Sequence, residues 1–172
     1  GQIGVLAAAR ASTVAVRRRP TVAIIASGDE LEELGAPSLD EDRIPESNSH
    51  LIAASVREAG AVPVRLGIAD DDPEDLRRYV ERAGSEDLLV TLGGASMGEA
   101  DLFKRVLDDA GLHIDFWRVN IRPGSPMSFG HLARETGANQ PVFGLPGNPA
   151  STFVTFEVFV RPFLRALAGH TR

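Results

Sequence analysis

Cysteine is absent from the 172 residues, which excludes disulfides and thiolate metal sites. No apolar run approaches the roughly 20 residues that span a bilayer. With no signal-like segment either, the expectation is a cytoplasmic protein without a membrane partner. Acids are missing from the first 20 residues, where Arg10, Arg17, Arg18 and Arg19 give +4. Since the whole chain carries −6, the remainder carries −10. So acidic a body argues against nucleic acid, and any anionic ligand needs a locally built pocket. No internal repeat or low-complexity tract occurs. The length suits one ordinary domain with a sizeable core, and the charge step puts a join near Pro20.

From Thr21 onward, short β-rich runs alternate with amphipathic helical patterns. "TVAIIA", "AVPVRLGI" and "DLLVTL" read as strands, and "PVFGL" as the last one. An acidic loop from Asp29 to Glu46 holds eight carboxylates and one arginine. A helix then places Leu51, Ile52, Val56 and Ala59 on one face, with Gly60 as its stop. Asp72 is a candidate N-cap with Pro73 at the first helical position, and Leu76, Tyr79, Val80 and Ala83 form the buried stripe. "IDFWRVNI" and "PMSFGHLA" read as strands flanking "RPGS", and "RETGANQ" as a hairpin-like turn. The segment 149–167 is apolar nearly all round, which predicts a buried helix bent at Pro162. This alternation predicts a three-layer α/β/α sandwich with a mostly parallel mixed sheet.

Ligands of open α/β sheets bind at the carboxyl ends of the strands. Four unusual loops fall at such ends: "SGDEL", "DDDP", "GGASMGEAD" and "GLPGNPAS". A fifth, "RPGSP", lies between two strands. Gly93, Gly94 and Gly98 allow close backbone approach to an anion, although a plain strand-to-helix turn explains them equally. Residues 94–98 also match the G-x-S-x-G nucleophile elbow. That reading needs a downstream histidine, and His131 in a strand pattern and His170 in the tail are poor candidates. It also leaves the Arg122–Pro126 and Leu145–Ser151 loops without a purpose. Glu30, Asp101 and the run Asp70–Asp72 end strands on one edge, and clustered carboxylates suit Mg²⁺ or a similar divalent ion.

These loops, in this order, resemble the molybdopterin-binding domain of the molybdopterin molybdotransferases, a family that includes the gephyrin E-type domains. The matching pieces are "SGDEL", "SN" at Ser47-Asn48, "LGIADDDP", "GGASMGEAD", "RPGSPMSFG" and "GLPGNPAS". They extend over nearly all of 21–168. The resemblance implies molybdenum insertion into adenylylated molybdopterin, with molybdate as co-substrate and Mg²⁺ or a similar divalent cation assisting. It implies Glu30, Asp71 and Asp101 as catalytic carboxylates, with Asp71 and Asp101 as metal ligands. Ser96, Pro126 and Ser151 fall on the molybdate side. Ser27, Gly28, Asn48, Gly93, Gly94, Gly98, Arg122, Gly124, Ser125, Pro146, Gly147, Asn148 and Pro149 complete the substrate-binding set.

In that frame the proline-rich corner is a stiff anion cradle. Pro146 and Pro149 fix backbone angles, Gly147 permits close approach, Asn148 caps the helix and Ser151 offers a hydroxyl. The family's usual loop is Lys-Pro-Gly-Lys-Pro. Here Arg122 keeps the first charge, and Ser125 replaces the second lysine. Residues 1–20 resemble a return segment from a preceding domain, and 169–172 form a tail. The family implies a homodimer in the full-length protein, with this chain as its substrate-binding core. The alternatives are a molybdopterin adenylyltransferase of the same fold, or a catalytically weak scaffold domain.

Overall fold

The computed structural model describes residues 1–35, 43–93, 105–135 and 137–170. A first helix, α1 (Gln2–Ala8), has no buried residue. Strand β1 (Thr21–Ser27) then enters the body of the domain and is buried from its second residue on. Two short strands, β2 (Leu31–Glu32) and β3 (Ile44–Pro45), precede α2 (Asn48–Glu58). There follow β4 (Val62–Ala69), α3 (Pro73–Ala83), β5 (Leu88–Leu92), a helical stretch at 105–109, β6 (Leu112–Trp117), β7 (Ser128–Leu132) and β8 (Gln140–Leu145). The last segment comprises α4 (Pro149–Thr155), a π-helical turn (Phe156–Val160) and α5 (Arg161–Leu167).

The main sheet has the order β4-β1-β5-β8-β7-β6. β4, β1, β5 and β8 are mutually parallel, whereas β7 and β6 run antiparallel to their neighbours. The expected three layers follow from the alternation of side chains across β1 and β5. Val22, Ile24, Leu88 and Val90 meet Ile52 and Val56 of α2, together with Phe156, Val160 and Leu164 of the last segment. Ala23, Ile25 and Leu89 face the other way, onto Leu76, Val80 and Ala83 of α3 and onto Val106 and Leu107. Each such aliphatic side chain contributes about 1.5–3 kcal/mol on burial. Both faces of the central strands must therefore be covered by helices.

The helix boundaries follow local chemistry. Asp72 caps α3 by accepting from the amides of Glu74 at 3.1 Å and Asp75 at 3.0 Å. α2 stops at Gly60, with Ala61 N donating to Val56 O and Gly60 N to Arg57 O, the paired bonds of a Schellman turn. Aromatic rings bind the antiparallel extension to the terminal helix. Phe129 lies 4.7 Å from Phe143, and Phe143 lies 5.3 Å from Phe163.

Three readings are corrected. The acidic loop contains the parallel pair β2–β3, closed by Ile44 N donating to Glu30 O. The run "FWRVNI" leaves the sheet at Trp117, and the chain loops from 118 to 127. The terminal helix is buried on one face only: Phe153 and Val158 are 44% and 53% exposed. The π turn directly precedes Arg161-Pro162, where proline removes a helical donor and crowds the turn before it. No helix of the described residues is long and apolar enough to cross a membrane.

Candidate functional site

The four parallel strands end on the same edge of the sheet, so the loops after Ser27, Ala69, Leu92 and Leu145 start there together. The β6–β7 hairpin brings the fifth. β7 begins at Ser128 opposite Gly144, near the end of β8, and β6 ends at Trp117 opposite Ser128. The "RPGSP" loop thus joins this edge through antiparallel pairing.

The proline-rich corner closes on itself. Pro146 is buried, and Asn148 caps α4 by accepting from Ala150 N at 3.1 Å and Ser151 N at 3.2 Å. The buried Thr152 hydroxyl donates to the carbonyls of Pro146 and Asn148. Two long-range contacts then hold the corner in place. Asn48 Nδ2, at the start of α2, donates to Gly147 O at 2.6 Å. Gly93 N donates to Leu145 O at 3.4 Å. Gly93 has φ +105°, and a Cβ there would sit 2.5 Å from the Ser27 carbonyl oxygen. No side chain fits where the ends of β1, β5 and β8 meet.

The carboxylates occupy the neighbouring loops. Glu30 folds over the buried Gly28, where a Cβ would come within 2.6 Å of its Oε2. Asp71 N donates to Asp29 Oδ1 at 3.1 Å, which joins the loops after β1 and β4. Within the Asp70–Asp72 run the roles divide: Asp72 is the cap, and Asp70 N is held by Asp75 Oδ2 at 3.0 Å. Asp101, Gly94, Ser96 and Gly98 lie outside the described residues.

Arg122, Ser125 and Pro126 are exposed on the fifth loop, and the Arg122-Pro123 peptide is cis. The loop is braced by Arg118 N donating to Met127 O at 2.8 Å and by Val119 N donating to Ser125 O at 3.0 Å. Gly124 presses on the terminal helix: a Cβ at this φ +114° position would lie 2.5 Å from Thr155 Cγ2. This contact sets the fifth loop beside α4, the helix that the proline-rich corner opens.

One positioning group escaped the sequence reading. Glu46 is 2% exposed, and its carboxylate accepts from Ser49 N at 2.7 Å and from the Ser49 hydroxyl. Arg65 Nε donates to Ser49 Oγ at 2.7 Å, and Arg65 also reaches Glu33 Oε2 at 3.1 Å. Glu46 and Ser49 are buried while Arg65 and Glu33 reach solvent, and leaving either buried group without its partner costs about 1–3 kcal/mol. The network fixes the start of α2, and with it Asn48. Glu46 stands three residues before Ser49 and accepts from its N–H, the second of α2, a local capping signal available in the sequence.

The family described as "Probable molybdopterin binding domain" matches residues 23–166. The chain belongs to this family. It is 39% identical over 170 residues to a molybdopterin molybdenumtransferase of Nostoc sp., covering 98% of this chain and 38% of that protein. It is 38% identical over 173 residues to molybdopterin molybdenumtransferase 2 of Mycobacterium tuberculosis, covering 97% and 41%. The crystal structure of a molybdopterin biosynthesis MoeA protein from Pyrococcus horikosii superposes with a TM-score of 0.82 at 31% identity, covering 98% of this chain and 40% of that one. The chain thus spans about two fifths of the length of the curated relatives it matches. The matched stretch, residues 23–166, runs from β1 into α5 and so takes in the main sheet.

Proposed function

We propose that the chain is the substrate-binding core of a molybdopterin molybdotransferase. The reaction consumes adenylylated molybdopterin and molybdate and yields molybdenum cofactor and AMP. One observation carries this reading: the "GLPGNPAS" corner is closed on itself, hydrogen-bonded to Asn48 and packed against Gly93, on the edge from which five loops leave the sheet. Such a corner presents backbone and hydroxyl donors in a fixed geometry, so little reorganisation accompanies anion binding.

Ser151, Ser96, Arg122, Ser125 and Pro126 line the molybdate side of this reading. Asn48, Ser27, Gly28 and the glycines of the loop after β5 contact the pterin and its phosphate. Asn48 Oδ1 is buried and has no hydrogen-bond partner among the described residues, which leaves an acceptor for a ligand donor. Glu30, Asp71 and Asp101 are the reacting carboxylates. Hard oxygen donors of this kind fit Mg²⁺ or a similar divalent ion, and Asp71 and Asp101 would hold it. When bound, such an ion offsets the charge of phosphate and molybdate oxygens. The full-length protein acts in the cytoplasm as a homodimer.

Incubating the full-length protein with adenylylated molybdopterin and molybdate should release AMP and form the cofactor, and Asp71→Ala should abolish both. Two outcomes overturn the proposal. In a parallel incubation with molybdopterin and ATP, release of pyrophosphate would identify an adenylyltransferase, and absence of both turnovers would identify a scaffold.

A further inference from the structure

Away from the loop edge, the antiparallel pair β6–β7 gathers three side chains with ligand chemistry. His113 and His131 are register partners across the two strands, and Asp115 lies two residues along β6 from His113. The pairing shifts between Ile114 and Phe116, so Asp115 is the extra residue of a β-bulge. Gly130 permits this distortion: a Cβ there would collide with the His113 carbonyl and lie 3.1 Å from Ile114 Cα. The two imidazoles stack with centroids 4.9 Å apart, and both turn a nitrogen toward the same carboxylate. His131 Nδ1 is 3.2 Å from Asp115 Oδ2, and His113 Nδ1 is 3.5 Å from Asp115 Oδ1.

We propose that His113, Asp115 and His131 bind one divalent transition-metal ion of the zinc class. Two imidazoles and one carboxylate are a donor set for zinc, copper and nickel, and a poor one for magnesium. With metal–ligand bonds of about 2.0–2.1 Å, ligand atoms around a tetrahedral ion lie about 3.3 Å apart. The two imidazole–carboxylate separations, each to a different oxygen of Asp115, lie near that value, and one ligand atom from each of the three residues falls within a span of 4.8 Å. Small side-chain rotations close the remainder. His113 is 70% exposed at its side chain and Asp115 39%, which leaves the other coordination positions to water.

The site is separate from the loop edge. His131 lies three residues along β7 from Ser128, about 10 Å at the usual strand rise. Its ligands come from β6, outermost among the described strands, and from β7 beside it, so the ion would cross-link β6 to β7.

The test uses the full-length protein stripped of metal, with Zn²⁺ and Co²⁺ as probes. Zn²⁺ at micromolar concentration should shift the imidazole nitrogen resonances of both His113 and His131 at one ion per chain. Co²⁺ should give d–d absorption that Zn²⁺ abolishes. His113→Ala and Asp115→Asn should each weaken this binding by about tenfold or more, since even outer-sphere changes cost that much. His113 and Asp115 hold up no core, and thermal melting of each variant confirms its fold. Imidazole resonances that ignore Zn²⁺ overturn the proposal. So does an affinity that neither variant changes, because the histidines would then bind singly or the ion elsewhere.

Discussion

Ser125 is the residue at which this chain departs most from the loop of the family it resembles. It is exposed, its carbonyl is engaged by Val119 N, and its side chain has room to lengthen. An ammonium about 4 Å from a unit negative charge contributes roughly 4 kcal/mol at an effective dielectric of 20. A neutral hydroxyl bond contributes about 1 kcal/mol net. Discounted for exposure, the difference still predicts that Ser125→Lys tightens molybdate binding about tenfold, at about 1.4 kcal/mol per decade. The gain should be largest at low salt, where screening is weakest. Titration of both proteins with molybdate at two ionic strengths checks it, and equal affinities at both would remove Ser125 from the anion's surroundings. At this scale the sequence exposed the corner residues because each acts on its immediate neighbours. It hid the Arg65 side of the Glu46–Ser49 network, which forms only once α2 packs beside β4.

At the scale of the element, Asn148 serves both the helix cap and the corner. Asn148→Ala removes the acceptor for two amides and should cost about 1 kcal/mol of stability. Asn148→Asp keeps the cap, because the two residues are equivalent there, and should leave stability within a few tenths of a kcal/mol. Placed beside a bound anion, however, the new carboxylate should weaken molybdate binding more than alanine does. Urea unfolding read alongside molybdate titration separates the two effects. Equal molybdate affinity for all three proteins would show that the corner does not face the anion. The caps at Asp72 and Asn148 and the stop at Gly60 were legible because capping is encoded within a few residues. The face of the terminal helix that meets solvent was not, since Phe153 and Val158 fit an apolar pattern as well as Phe156 and Val160 do.

For the molecule as a whole, the segment that leads into β1 carries an acid-sensitive tie. Asp87 takes a paired contact from Arg18 and also accepts from Thr21 N at 2.8 Å. The Arg18 hydrogen bond, supported by the Thr21 amide, holds the Asp87 carboxyl below its usual range in spite of partial burial. A depressed folded-state value stabilises the protein above the unfolded carboxyl pKa of about 3.9. That contribution is lost as pH falls through the folded value. Asp87→Asn should therefore lower the urea midpoint at neutral pH, with the gap to wild type closing in acid. A gap independent of pH would mean that packing, not charge, holds this segment. Sedimentation of the full-length protein should show a dimer, and a monomer at high concentration would refute self-association.

Fold class and the helix caps were set by the sequence itself, because periodicity, caps and proline placement act between residues a few positions apart. The alternation of strands and helices was enough to put four loops on one sheet edge. Only the tertiary structure brought the loop 118–127 to the same edge, through the antiparallel return of β6 and β7. It alone joined Asn48 to Gly147, separated by 99 positions, and stacked His113 on His131. Contacts of that range depend on strand order and register. Many pairings satisfy the same backbone hydrogen bonds, and it is the packing of the two core faces that selects one of them.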